Sequence, residues 1–172
     1  VLPVINPMVT TDYYAEAYDI VTMSLASLFA SNNNQSGAMF DLTAINNLDV
    51  TSFDVSTFGG TYNFEVYYRT NSMVGNDISP AGWILAGTYP ANFLPGDGNR
   101  NFTIPTPISI PAGQTYGFYI TSTVPSGSVV KYTNGTGVGN VFSANSDIQI
   151  REGYGSTYPF SGSFNPRMLN FQ

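Results

Sequence analysis

The chain has 172 residues, with five basic side chains against eleven acidic, a formal net charge of −6, and neither histidine nor cysteine. That balance leaves no electrostatic footprint for nucleic acid, and it rules out Ser-His-Asp and Cys-His nucleophile pairs and the usual zinc, haem and iron–sulfur sites. Apolar residues at 42% and aromatics at 15% exclude a disordered chain, while charged residues, at 9%, fall far below the quarter or so of ordinary soluble domains.

The first nine residues, Val1-Leu2-Pro3-Val4-Ile5-Asn6-Pro7-Met8-Val9, are mostly large hydrophobes. Pro3 and Pro7 forbid a helix or a central strand but allow an extended edge segment. Such a segment either tucks onto its own sheet as a first strand or completes the sheet of a neighbour. On the second reading Val1, Leu2, Val4, Ile5, Met8 and Val9 are subunit-interface residues. Residues 12–28 are ambiguous. Tyr14, Tyr18, Val21, Leu25 and Leu28 recur at helical spacing, whereas Val21, Met23 and Leu25 also alternate with polar or small neighbours. The expectation is a helical turn near 13–18 and a strand over Ile20–Phe29.

Two-residue alternation takes over from there. Strands are expected at Ala38–Ile45, Val50–Ser56, Tyr62–Arg69, Trp83–Tyr89, Phe102–Ile110, Thr115–Thr123, Val129–Tyr132, Ile148–Arg151 and Met168–Phe171. In the third of these Tyr62, Phe64, Val66 and Tyr68 share the inward face, and Gly59-Gly60 ahead of it is a hairpin signal that pairs it with Val50–Ser56. In Thr115–Thr123, Tyr116, Phe118 and Ile120 point inward. Turn signals lie between the strands at Asn32-Asn33-Asn34, Asn46-Asn47, Ser79-Pro80, Pro95-Gly96-Asp97-Gly98, Pro125-Ser126-Gly127 and Asn134-Gly135. About ten short strands without a long helix make an all-β fold, an antiparallel β-sandwich with the jelly roll as one form of it. No apolar run is long enough to span a bilayer as a helix.

Few constellations carry chemistry. Ser128-Val129-Val130-Lys131 matches the S-x-x-K pattern of serine acyl enzymes, but on a strand i and i+3 face opposite ways. The acids are scattered singly, as solvated residues would be. Asp97 and Asn99, in the Pro95–Asn99 turn, are candidate calcium ligands, although a glycine-rich turn accounts for them more simply. No other cofactor is expected. The aromatic residues carry more weight: Tyr67 and Tyr119 are expected to face outward, and Tyr154, Tyr158 and Phe160 occupy a Gly/Ser-rich loop. With Trp83, the last three are candidates for stacking on a sugar or anchoring a protein interface.

Several segments are familiar as a series: Ala38-Met39-Phe40-Asp41-Leu42-Thr43-Ala44, Val66-Tyr67-Tyr68-Arg69-Thr70, Ala81-Gly82-Trp83-Ile84-Leu85-Ala86-Gly87-Thr88, Ile110-Pro111-Ala112-Gly113-Gln114-Thr115-Tyr116-Gly117-Phe118-Tyr119, Tyr132-Thr133-Asn134-Gly135 and Phe164-Asn165-Pro166-Arg167. The series resembles a β-sandwich domain of large secreted and surface-displayed bacterial proteins. It implies a domain over residues 25–172, with residues 1–24 as an added arm, and it carries no catalytic residues. The functional expectation is a non-enzymatic, extracellular structural protein, a homopolymer of a surface filament or sheath whose apolar arm docks on the next subunit. The alternative is a carbohydrate-binding or adhesive module whose partner is a polysaccharide.

Overall fold

The computed structural model describes residues 21–28 and 31–171. Eleven strands follow one another: β1 (Asn33–Gln35), β2 (Gly37–Ala44), β3 (Leu48–Thr57), β4 (Gly60–Thr70), β5 (Ile84–Leu94), β6 (Gly98–Ile110), β7 (Thr115–Ser122), β8 (Val130–Asn134), β9 (Val141–Ala144), β10 (Ile148–Thr157) and β11 (Gly162–Leu169). All strand ladders are antiparallel. Nine strands form one path, β5-β4-β7-β2-β10-β11-β8-β3-β6, with β1 on β8 and β9 on β10. The path curls until its end strands, β5 and β6, stand side by side. The all-β antiparallel expectation therefore takes a nearly closed, barrel-like form in place of two separate facing sheets.

Period-2 alternation explains the interior. Phe64 and Val66 on β4 and Phe118 and Ile120 on β7 are fully buried, with Tyr62, Tyr68 and Tyr116 packed around them. Phe40 stacks on Phe118 at 5.7 Å, and Phe53 sets its edge against both, at 5.8 and 5.1 Å. Offset and edge-on pairs of this kind add to simple area burial. Phe102 and Ile104 of β6 and Ile150 of β10 complete this core from the other walls.

Four expectations are corrected. Gly59-Gly60 does not close a hairpin between β3 and β4: β3 pairs with β6 and β8, and β4 with β5 and β7. A Cβ on Gly59 would lie 2.8 Å from the Gly96 backbone, and Gly60 has φ +138°. The pair is thus a tight corner pressed on another turn, and it sends the chain across to the far part of the sheet. In the described part of Ile20–Phe29, residues 21–28 form no strand. Ser27 is held instead by Phe171, its N–H donating to the Phe171 carbonyl at 3.0 Å and its Oγ accepting from the Phe171 N–H at 3.0 Å. Asn33 and Asn34, read with Asn32 as a turn, belong to a short strand, Asn33–Gln35, on β8, and Val141–Ala144 is an unforeseen strand on β10. The last strand starts earlier than Met168, at Gly162. The expected helical turn at 13–18 lies outside the described residues.

Candidate functional site

Two surfaces stand out. The first is the outer face of β2, β4, β7 and β10, where alternation directs Met39, Tyr67, Tyr119 and Tyr154 away from the main core. Loop 71–83 and the turn after β10 fold over this face and build a second apolar cluster of Met39, Met73, Tyr119, Tyr154 and Phe160, flanked by Tyr67, Trp83 and Val138. Phe160 sits at its centre, 4.9 Å from Tyr119, 5.4 Å from Tyr67 and 5.7 Å from Trp83. Its φ of 125° is a strained value for a residue with a side chain, held in place by the rings around it.

The structure therefore brings the sequence-predicted aromatics Trp83, Tyr154, Tyr158 and Phe160 to one region, but not as an exposed platform. Tyr154 lies within β10 rather than in a loop, and both it and Phe160 are buried. Tyr119, expected to face solvent, is fully covered, and burial pushes its phenol up to about 12. Trp83, Tyr67 and Tyr158 remain half-buried. Trp83 donates Nε1–H to the Asn76 carbonyl at 2.9 Å, with the Arg69 guanidinium over its ring at 5.6 Å. The Tyr67 hydroxyl donates to Glu65 Oε2 at 2.7 Å; burial first, and then that carboxylate, hold the phenol above its ordinary value.

Asp41 latches the covering loop. Its buried carboxylate accepts the Met73 N–H at 2.8 Å and the Ser72 hydroxyl at 2.5 Å. The other buried carboxylate among the described residues, Glu152, likewise accepts loop amides, from Thr136 at 2.6 Å and Gly137 at 2.7 Å. Burial raises the pKa of Asp41 above the ordinary 3.8, against the pull of Ser72 and Met73 and of Arg151 and Arg69. Folding therefore favours its neutral form. That stability is fully present below pH 3.8 and is lost as pH rises through the raised value. Asp41→Asn keeps an acceptor for Met73 and is neutral at every pH. It should match wild type in urea denaturation at pH 3.5 and be the more stable of the two at pH 7. A variant less stable than wild type at pH 7 would mean that the ionised carboxylate's hydrogen bonds outweigh its burial.

The calcium candidates have other surroundings. The Asp97 carboxylate pairs with Lys131, whose ammonium lies 4.4 Å from the centre of the Phe58 ring. Among the described residues no three acidic side chains gather as a cation site. The interface candidates Val1, Leu2, Val4, Ile5, Met8 and Val9 lie outside the described residues.

The second surface is the seam between β5 and β6, which sequence reasoning missed. No ladder joins these strands. Hydrogen bonds cross the seam near its β5–β6 turn: the Arg100 guanidinium donates to the Asn92 carbonyl at 2.7 Å, and the Tyr89 hydroxyl to the Thr103 carbonyl at 2.9 Å. Arg100 is itself buried. It also donates to the carbonyl of Gly60 at 2.5 Å and lies 4.8 Å over the Phe64 ring. A groove of about 530 Å³ opens here, with Phe64, Tyr89, Leu94 and Phe102 among its walls. Beside it β5 exposes Phe93 (69%), Ile84 (48%) and Leu85 (48%). The signal available beforehand was the run Ile84-Leu85-Ala86-Gly87-Thr88-Tyr89-Pro90-Ala91-Asn92-Phe93-Leu94, eleven residues without a charge.

No family model matches this chain, and a search of curated proteins finds no match either.

Proposed function

We propose that the protein is a structural subunit of an extracellular assembly, a surface filament or sheath, held together by contacts between copies rather than by any catalytic role. The observation that carries this reading is β5: an uncharged strand of eleven residues at the end of the sheet path, with three large apolar side chains exposed. Monomeric β-proteins guard such edges with lysine, glutamate or short strands, because a free row of N–H and C=O groups templates pairing with another chain. The stretch leading to residues 1–20 adds to it, since Val21 and Leu28 are largely exposed and Met23 about half so. The resemblance to domains of surface-displayed bacterial proteins points the same way, as does a surface poor in charge. Residues 1–9 are the segment of each copy that docks on the next. Removing residues 1–10 should convert fast-sedimenting polymer to monomer in sedimentation velocity; an unchanged profile would contradict the reading.

A carbohydrate-binding role is the second reading, favoured by half-buried Tyr67 and Tyr158 beside Glu65 on the outer face, with half-buried Trp83 in the same aromatic cluster. Rings beside a hydrogen-bonding carboxylate suit a neutral sugar. Retention in affinity electrophoresis through neutral polysaccharide, lost in Trp83→Ala, would support it, and no retention by wild type would dismiss it.

A further inference from the structure

We propose that the open edge of β5 over Ile84–Tyr89 is the acceptor for residues 1–9 of a second copy, which add there as a strand and pack apolar side chains against the exposed Ile84 and Leu85. This rests on the assembly reading above and locates its contact. One edge of β5 is laddered to β4; the other faces the seam and has no ladder partner among the described residues. The opposite wall cannot serve equally. β6 carries Pro105 and Pro107, both exposed, in the stretch where its ladder to β3 is interrupted, and each proline lacks an N–H. In β5 the only proline is Pro90, so Ile84–Tyr89 keeps every donor.

The incoming segment is one-sided in a matching way. Backbone N–H and C=O groups of alternate residues point to opposite edges of a strand. Pro3 and Pro7 are four apart and so blank the same edge, while Leu2, Val4, Asn6 and Met8 present four intact N–H groups on the other. Such a strand ladders on one side only, as an acceptor with one usable edge requires. Residues 1–9 carry no charge, β5 carries none, and the one charge of β6, Arg100, is buried. The acceptor stretch Ile84–Tyr89 spans about 20 Å, and nine extended residues, about 30 Å, are long enough to cover it. The groove between β5 and β6 lies farther along β5, over Tyr89–Leu94, and meets the acceptor edge at Tyr89.

The described chain begins on the flank away from the seam. Residues 26 and 27 are tied to Ser143 on β9 and to Phe171 beyond β11, with the Ser143 hydroxyl donating to the Ala26 carbonyl at 2.8 Å. In the strand path β10 and β11 lie midway between the two ends, across the barrel from the seam. A donor segment leaving one flank and an acceptor on the other make a heterologous contact that does not close on itself, so copies add in a line.

The chain has no cysteine, so introduced thiols report on a clean background. Val4→Cys or Met8→Cys subunits mixed with Thr88→Cys subunits under mild oxidation should give disulfide-linked dimers on a non-reducing gel. The same donors mixed with Ser146→Cys, on the β9–β10 turn, should not. Leu85→Lys, with residues 1–9 intact, should lower the polymer fraction at least tenfold while leaving the melting temperature of the monomer near that of wild type. If wild type polymerises but the Thr88 pairs do not cross-link, or Leu85→Lys polymerises normally, the acceptor is elsewhere and the assembly reading stands without it. A disulfide within single chains of a Val4→Cys/Thr88→Cys variant would place the segment in its own seam and overturn the proposal. Absence of any polymer from wild type would remove both.

Discussion

Gly153→Ala should destabilise the protein by at least about 3 kcal/mol, at the upper end of what overpacking costs. Gly153 sits in the irregular step where β10 shifts register against β2, and a Cβ there would lie 2.1 Å from the Met39 carbonyl oxygen and 2.9 Å from Met73 Cε. The methionine methyl could turn aside. The carbonyl cannot, because it belongs to the backbone of β2, which is laddered to β7 on its other side. Relief therefore requires separating β2 from β10 in the middle of the sheet path and spreading the outer aromatic cluster above them. Chemical denaturation reads the loss, together with a weakened near-ultraviolet dichroism from Trp83 and Tyr119. A variant within 1 kcal/mol of wild type would mean that the step between β2 and β10 is looser than these contacts imply.

The second large effect is expected at Arg100. Its guanidinium serves the carbonyls of Gly60 and Asn92 directly and that of Tyr62 at 3.4 Å, and it lies over Phe64, so one side chain clips β4, β5 and β6 together. Among the described residues no carboxylate pairs with it, and burial lowers its pKa from the ordinary arginine value. Arg100→Met fills similar space but takes the charged donor away from those carbonyls. Hydrogen bonds from a charged donor are worth about 1.5–3 kcal/mol each, against which the relieved desolvation of the guanidinium must be set. A net loss of about 3 kcal/mol follows, or about 9 °C in Tm for a chain of this size. Arg100→Lys should recover only part of it, since an ammonium cannot present a planar fork to separated acceptors. If Arg100→Met melts like wild type, the seam is held by something other than this clip.

The two positions also show which parts of the structure can be read in advance. Alternation at 62–69 and 115–123 identifies Phe64, Val66, Phe118 and Ile120 as core because a strand has only two faces and the apolar one turns inward. Partner choice is a different matter. Gly59-Gly60 looks like a hairpin locally, but which strands pair depends on how the whole sheet curls, and β4 finds β5 and β7 instead. The same limit applies to the aromatics. Sequence places Tyr119 on the outer face correctly, but its burial depends on loop 71–83 being tied down by Asp41, some thirty residues earlier in the chain. Arg100, flanked by Asn99 and Asn101, carries no local mark of a buried clip. The exposed character of β5 was partly legible, since its eleven residues lack a charge, but only the sheet order shows that it is an end strand.

The central claim is that copies of this chain join through edges their own fold leaves open. Negative-stain electron microscopy of the purified full-length protein at moderate concentration tests it most directly. Linear filaments are expected, and none once residues 1–10 are removed. Discrete particles of a single 18.6 kDa chain at every concentration would contradict it.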